Sequence, residues 1–132
     1  MSAATNKATV RDAFSAWSDG DGNAFFRLLA DDVRWTVIGT TAISGTFNSR
    51  REFLDQAASK IGAVLAKPLV PRLISLLADD DLVSVQWEAT SETNSGKPYR
   101  QTYSWVVRFD GDQIVEGTAY LDTELLTAVL ED

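Results

Sequence analysis

The sequence predicts an α+β domain in which helices cover one face of a strongly bent, largely antiparallel sheet. Three observations support this prediction. The chain has 132 residues, which suits one domain with one hydrophobic core. Its patterns run helix, helix, strand, helix and then four strands joined by short turns. The repeated strand–helix–strand order of a doubly wound parallel sheet does not occur. We therefore expect a single domain over residues 1–132.

The first two predicted helices lie at the start of the chain. Val10, Phe14 and Trp17 recur at helical spacing, which places them on one apolar stripe. The segment DGDG at 19–22 ends this helix, because its glycines favour a turn. A second, short helix is expected around residues 25–29.

A strand and a third helix complete the first half. Residues 33–40 are rich in β-branched and aromatic side chains, which favours a strand. A connection follows, and Ser49 is placed to cap a helix over residues 50–65. Pro68 closes that region, because proline cannot continue a helix.

The second half is nearly all strand. Asp-Gly at 110–111 is a strong hairpin signal. A short C-terminal helix begins after Asp122 or Thr123, either of which can act as its N-cap. The four predicted strands span residues 69–78, 82–92, 99–109 and 113–121.

The charge of the chain excludes some partners. It carries 19 acidic and 12 basic residues, for a net charge of −7. Nucleic-acid binding is disfavoured, since phosphate contacts need clustered lysines and arginines. No apolar run is long enough to cross a membrane. The first residues lack the apolar centre of a signal peptide, so we expect a cytoplasmic location.

The chain has no cysteine and no histidine. Disulfides, the usual zinc sites, thiol nucleophiles and Ser-His-Asp triads are therefore excluded. The glycines form no phosphate-binding fingerprint. We expect no cofactor and no metal, so any catalysis must use Asp, Glu, Tyr, Lys, Arg or water.

The last predicted strand has one polar face. Glu116, Thr118, Tyr120 and Asp122 alternate with small or apolar residues, and a strand sends alternate side chains to opposite faces. This face is either solvated or the wall of a pocket.

Several segments together resemble the nuclear transport factor two-like superfamily, most closely its SnoaL-like and ketosteroid-isomerase-like branch. They are FFRLLADDVRW, GTTAISGTFNSRREFL, VSVQWEAT and SGKPYRQTYSWVVRFDGDQIVEGTAYLDTELL, and their order is the specific feature. The resemblance implies a cone: a curved, antiparallel-type mixed sheet wrapped around three helices, with a pocket between them and a short C-terminal helix. It also implies a homodimer, because many members pair through the open sheet face.

The catalytic positions of ketosteroid isomerases do not carry over. Ala13 stands where that branch has an oxyanion-hole tyrosine in the first helix. Thr36, Val37 and Ile38 occupy the region of its base aspartate, just before Gly39. Because both groups are needed for that mechanism, we expect no ketosteroid isomerisation.

The SnoaL-like cyclases are closer. They carry an acid–base aspartate just after the last strand, and Asp122 matches that position. They also carry a histidine on a neighbouring strand, which this chain lacks. Asp122 is thus the principal catalytic candidate, with Tyr120 or Tyr103 as a hydrogen-bond donor. The alternative is that Asp122 only caps the last helix.

The remaining candidates concern the pocket wall. Trp17 and Trp35 suit an aromatic wall for a flat hydrophobic ligand; the alternative is that they pack in the core or an interface. The resemblance implies that the polar face of the last strand looks into the pocket, so Glu116 and Thr118 are expected there. Glu88 is a further pocket candidate; alternatively its face is solvent or a dimer seam, with Trp87 inward.

Two functions remain open. The first is a cofactor-independent isomerase, cyclase or dehydratase that acts on a hydrophobic oxygenated substrate through acid–base chemistry. The second is a non-catalytic, dimeric ligand-binding domain. A pocket-facing acid with a tyrosine nearby favours the first, and a dry pocket with the acids outside favours the second.

Overall fold

The computed structural model describes residues 2–132. Helices occur at both ends of the described chain and between the second and third strands. A 3-10 turn spans Phe26–Leu28, and a π-helical segment spans Leu54–Ala58. The α-helices are α1 (Ala3–Ser18), α2 (Arg50–Phe53), α3 (Ser59–Val64) and α4 (Thr123–Leu130).

The strands form one six-stranded mixed sheet. They are β1 (Leu29–Val37), β2 (Gly45–Phe47), β3 (Val70–Asp79), β4 (Leu82–Glu92), β5 (Pro98–Asp110) and β6 (Gln113–Leu121). Their order in space is β2-β1-β6-β5-β4-β3. Only the pairing of β1 with β6 is parallel. The predicted α+β class, with a mixed sheet of mainly antiparallel pairs and a short final helix, is confirmed.

Side-chain caps start three of the helices. Ser49 accepts a hydrogen bond from the backbone N–H of Glu52 at 3.0 Å, as the sequence predicts. Asp122 accepts one from Leu125 at 3.1 Å and thereby begins α4. Such a cap satisfies a donor that the first helical turn leaves free.

The first half differs from the sequence prediction in three details. The expected second helix is only the turn Phe26–Leu28, and β1 already begins at Leu29. β1 tolerates the exposed Asp31 and Asp32 because its register against β6 shifts between Leu29 and Arg34. The expected connection contains β2, and the π-helical segment divides the third helix into α2 and α3.

The sheet has two chemically different faces. Alternate residues of β4 and β5 are buried against the helices and form the hydrophobic core. We call this the inner face; it includes Trp35, Trp87, Tyr99, Gln101, Tyr103 and Trp105. The residues between them form the outer face, which includes Thr36, Gln86, Glu88, Glu116, Thr118 and Tyr120.

Candidate functional site

A cavity of about 1200 Å³ lies between the inner face and the helices. Its helical wall is built from small and aliphatic residues of the π-helical segment and α3. Its sheet wall is aromatic, because β1, β4 and β5 each place at least one tryptophan or tyrosine on the inner face. The helical wall includes Ala57, Ala58, Ile61 and Gly62, and the sheet wall includes Trp35, Trp87, Tyr103 and Trp105.

The aromatic side chains of the sheet wall pack on one another. The rings of Trp87 and Tyr103 stack at 4.3 Å with an interplanar angle of 13°. Trp105 meets Trp87 edge-on at 4.8 Å, and Trp17 from α1 lies 5.1 Å from Trp87. Trp35 stacks on Phe53 of α2 at 4.9 Å. Because each ring is held by neighbours, the wall is a rigid aromatic surface.

Gly117 fixes the position of Trp35. It pairs with Trp35 across the parallel β1–β6 register. A Cβ atom at this position would overlap the six-membered ring of Trp35. The absence of a side chain therefore lets the indole lie directly on the backbone of β6.

Three indole donors of the wall have no hydrogen-bond partner. They are the buried Nε1 atoms of Trp35, Trp87 and Trp105, none of which meets an acceptor among residues 2–132. An unsatisfied buried donor costs about 1–3 kcal/mol. These nitrogens have almost no accessible surface, so Trp35, Trp87 and Trp105 line the cavity with other atoms of their rings.

Tyr103, a residue of the cavity lining, has its hydroxyl in a buried cluster with Tyr99 and Gln101. Its oxygen lies 3.4 Å from the hydroxyl oxygen of Tyr99, and Gln101 Nε2 lies 3.4 Å from the same Tyr99 oxygen. Burial raises the pKa of Tyr103 well above its usual value and also raises the pKa of Tyr99. Both side chains are therefore neutral phenols at physiological pH.

Charge enters the cavity lining at Lys67 and Glu92. The Lys67 ammonium lies 3.0 Å from the Glu92 carboxylate, and both side chains are substantially exposed. Of the described residues that line the cavity, Glu92 is the only acid. The aromatic wall itself therefore has no carboxylate available for proton transfer.

The structure brings three of the candidate site residues together. Trp17, Trp35 and Tyr103 all line the cavity. Val37 also lines the cavity. The region where ketosteroid isomerases carry their base aspartate therefore presents an aliphatic side chain to the cavity. Ala13 is buried in the core.

The polar face of β6 does not line the cavity, which corrects the expectation for Glu116 and Thr118. Gly117 and Ala119 are buried on the inner face, so their neighbours point outward. Glu116 accepts hydrogen bonds from Arg108 at 2.7 and 2.5 Å on the outer face. Tyr120 is 46% exposed there.

Glu88 also lies on the outer face rather than in the cavity. It forms an ion pair with Arg72, its partner in the β3–β4 register. Trp87 points inward instead, which is the alternative that the sequence left open.

Asp122 lies at the junction of β6 and α4. Its carboxylate caps α4, while its backbone N–H and C=O bond to the side chain of Gln101 at 3.0 and 3.1 Å. The residue is exposed and is not part of the cavity lining. Its cap role is confirmed by this geometry.

Sequence reasoning missed Gln101 and Tyr99. Both are 1% exposed and share the inner face with Tyr103. The sequence signal that could have found them is Gln101, which lies in an alternating series with the aromatic residues Tyr99, Tyr103 and Trp105. A buried amide at that position needs hydrogen-bond partners.

Neither a membrane-spanning helix nor a metal-binding cluster of side chains occurs within residues 2–132. No helix in that range is long and apolar enough to span a membrane. No group of three or more acidic side chains there is arranged to hold a metal ion.

Comparison with known proteins gives a family and a fold. The model of the SnoaL-like domain matches residues 10–117. No curated protein sequence gives a significant match. An NTF2-like protein from Burkholderia thailandensis is 21% identical, with a TM-score of 0.78 over 96% of this chain and 98% of that one.

Two other solved structures carry chemical descriptions. TerC, co-crystallised with polyporic acid, is 15% identical, with a TM-score of 0.77 over 96% of this chain and 98% of TerC. AclR from Streptomyces galilaeus, described as a putative hydroxylase, is 17% identical, with a TM-score of 0.76 over 98% of both chains. At these identities the likeness concerns the fold.

Proposed function

The chain belongs to the SnoaL-like domain family, and from this premise we propose that it binds a flat, largely apolar small molecule that carries acceptor oxygens. The observation that supports the proposal is the aromatic cavity of about 1200 Å³. This volume lies slightly above the range of about 300–1,000 Å³ that is typical of small-molecule sites. It suits a ligand of several fused or linked rings.

The chemistry of the wall defines the ligand further. Stacked rings such as Trp87 and Tyr103 offer a flat surface to another aromatic ring. The neutral phenol of Tyr103 favours an oxygen acceptor on the ligand. The structural neighbour TerC was crystallised with polyporic acid, which agrees with a small-molecule role for this fold.

Binding without acid–base catalysis is the function that the geometry favours. The carboxylates of Glu88 and Glu116 are paired with arginines on the outer face, and that of Asp122 caps a helix. Glu92, the acid in the cavity lining, is paired with Lys67. A general base must reach the proton it removes, and the aromatic wall offers none.

A matched pair of variants tests the cavity as the binding site. Gly62 lines the cavity, with open space around the position of an added Cβ, whereas the adjacent Ala63 is exposed and is not in the lining. The flat probe 9-fluorenone should bind the wild type and Ala63→Phe alike in isothermal titration. Gly62→Phe should weaken its binding about tenfold or more, equivalent to about 1.4 kcal/mol. Equal affinity in all three proteins, or no binding by the wild type, would exclude this site.

Cofactor-independent isomerisation, cyclisation or dehydration is the second candidate function. It is favoured by the neutral hydroxyl of Tyr103 at the cavity wall, which could stabilise a developing enolate. Deuterium exchange at the α-carbon of 1-indanone, followed by NMR in D₂O, tests this chemistry. Exchange faster than in buffer, and slowed in Tyr103→Phe, would favour an enzyme; exchange at the buffer rate would favour binding alone.

Ketosteroid isomerisation is not part of the proposal. Ala13 and Val37 supply neither the donor nor the base of that reaction. A 3-keto-Δ5 steroid should therefore show no conversion above the solution rate, as followed by the absorbance of the conjugated product.

We also propose that the protein is a homodimer that pairs through the outer face. Leu77 and Leu82 are 67% and 44% exposed on this face, near the edge strand β3. Exposed apolar side chains on an open sheet favour an interface. Sedimentation velocity should give a dimer at high micromolar concentration, weakened in Leu77→Glu and retained in Lys60→Glu. A monomeric wild type would refute the dimer.

A further inference from the structure

We propose that Tyr103 donates its hydroxyl hydrogen to a carbonyl oxygen of the bound molecule, and that Gln101 and Tyr99 are positioning residues that fix the direction of this donor. The inference rests on the proposed ligand-binding function. It specifies that a carbonyl oxygen of the ligand is recognised and that Tyr103, positioned by Gln101 and Tyr99, recognises it. Flat aromatic ketones are the ligand class that such a donor selects.

The amide orientation of Gln101 is determined by the backbone groups around it. Its Oε1 accepts hydrogen bonds from the N–H groups of Asp122 at 3.0 Å and Thr102 at 3.1 Å. Its Nε2 donates to the carbonyl oxygen of Asp122 at 3.1 Å. If the amide were flipped, its NH₂ group would face the two backbone N–H donors and its oxygen would face the carbonyl oxygen of Asp122, so these hydrogen bonds would be lost. The nitrogen of Gln101 therefore faces Tyr99.

The direction of the Tyr99 hydroxyl follows from that of Gln101. An amide N–H has no acceptor capacity, so Gln101 must donate to the Tyr99 oxygen, 3.4 Å away. The hydrogen of Tyr99 is then free to point to the Tyr103 oxygen, also at 3.4 Å. Both distances are long for hydrogen bonds, and contacts of this kind tighten when a ligand completes the site.

The hydrogen of Tyr103 is the end of this chain. Within residues 2–132, Tyr99 is the hydrogen-bond partner of the Tyr103 hydroxyl, and either oxygen of this pair can act as the donor. In the proposed chain, donation by Gln101 turns the hydrogen of Tyr99 toward the Tyr103 oxygen, which then acts as the acceptor. The hydrogen of Tyr103 is thus left for the cavity that this residue lines. All three side chains are at most 4% exposed, which shields the chain from competing water.

The direction of the chain determines what the site accepts. A hydroxyl that already receives a hydrogen bond is a stronger donor, because bonds in a chain polarise one another. A carbonyl oxygen on the ligand satisfies this donor, whereas a ring hydrogen at the same position leaves it unpaired.

A pair of probes isolates the carbonyl group. The ketone 9-fluorenone and the hydrocarbon fluorene have nearly the same flat shape. The wild type should bind the ketone about two- to tenfold more tightly, as expected for one net hydrogen bond. The infrared carbonyl band of bound fluorenone should lie at lower frequency in the wild type than in Tyr103→Phe.

Three further variants test the chain and its specificity. Tyr103→Phe should reduce the affinity ratio of the two probes to about one, whereas Tyr120→Phe, on the outer face, should leave it unchanged. Tyr99→Phe keeps the donor but removes the bond that polarises it, so its carbonyl band should lie between the other two. Gln101→Glu, measured at pH 9, replaces the donor with a carboxylate that attracts the Tyr99 hydrogen. The Tyr103 hydrogen then turns to Tyr99, and the carbonyl band should match that of Tyr103→Phe.

The possible results separate this inference from the function on which it rests. No binding of either probe by the wild type would overturn both. Binding of both probes with the same ratio and band in Tyr103→Phe would overturn only the donor role. Bands in Tyr99→Phe and Gln101→Glu equal to the wild-type band would overturn the positioning role. If Gln101→Glu fails to fold, as judged by circular dichroism, Tyr99→Phe alone decides that point.

Discussion

The inner and outer faces of the same sheet differ in how fully their polar groups are hydrogen-bonded. On the outer face, the amide of Gln86 bonds to Ser75, Ser84 and Ser104 at 2.6–2.9 Å. Acids and arginines there meet across neighbouring strands. On the inner face, three buried indole donors have no partner within residues 2–132.

This difference indicates which face is built for a ligand. Polar groups that already have partners gain little from a new contact. The face with more charge is thus the one less suited to binding a small molecule. The aromatic inner face has the cavity, and Tyr103 is the tyrosine of its lining.

The largest expected effect compares two aromatic residues on opposite faces. Trp105 is buried among Phe14, Trp87 and other rings, whereas Tyr120 is 46% exposed. Trp105→Ala should lower the free energy of unfolding by about 3–5 kcal/mol, because it leaves a cavity in the core. Tyr120→Ala should lower it by less than about 1 kcal/mol. Urea denaturation at one protein concentration measures both, and equal losses would contradict the contrast between the faces.

The second prediction concerns the close contact of Gly117 with Trp35. Gly117→Ala should destabilise the protein by about 1–3 kcal/mol, since the added methyl group overlaps the indole ring. Gly62→Ala, in α3 with open space around it, should instead be neutral or stabilise by up to about 1 kcal/mol. The same denaturation experiment compares the two. A stable Gly117→Ala variant would mean that Trp35 can move away from β6.

These two faces also explain how much could be predicted from the sequence. Period-two alternation predicted that Glu116, Thr118 and Tyr120 share one face, and this is correct. It could not tell which face, because the partner of Glu116 is Arg108 on the neighbouring strand. That pairing depends on register, which a single sequence does not specify.

The hydrogen-bond chain behind Tyr103 was beyond the sequence for a similar reason. Gln101 is 21 residues from Asp122 along the chain, and the two meet only because β5 pairs with β6. By contrast, the caps at Ser49 and Asp122 are local contacts across three residues, and both were predicted. Contacts between residues close in sequence could be predicted, whereas contacts that depend on strand pairing could not.

The third prediction uses the raised pKa values of Tyr99 and Tyr103. Tyrosines of the unfolded chain lose their protons near pH 10, whereas the buried phenols of the folded protein keep theirs. The contribution of these two tyrosines to the free energy of unfolding is therefore fully present below about pH 10 and decreases as the pH rises further. The loss is at most about 1.4 kcal/mol per pH unit for each retained proton. Tyr103→Phe should flatten this alkaline decline in urea titrations, and an unchanged slope would show that Tyr103 is not protected.

The smallest expected effect concerns Asp122, at the boundary between the two faces. Its carboxylate accepts a bond from Leu125, and so Asp122→Ala should cost about 1 kcal/mol of stability. Asp122→Asn should cost less, because asparagine also caps a helix but cannot take up a proton. Neither change should alter fluorenone binding, because the carboxylate is outside the cavity lining. If 1-indanone exchange is catalysed, a loss of about a hundredfold or more in Asp122→Asn would identify a general base. In an Asp122→Asn variant that is stable and binds fluorenone normally, only the loss of proton transfer explains a slower exchange. Exchange at the wild-type rate in that variant would show that Asp122 is a helix cap.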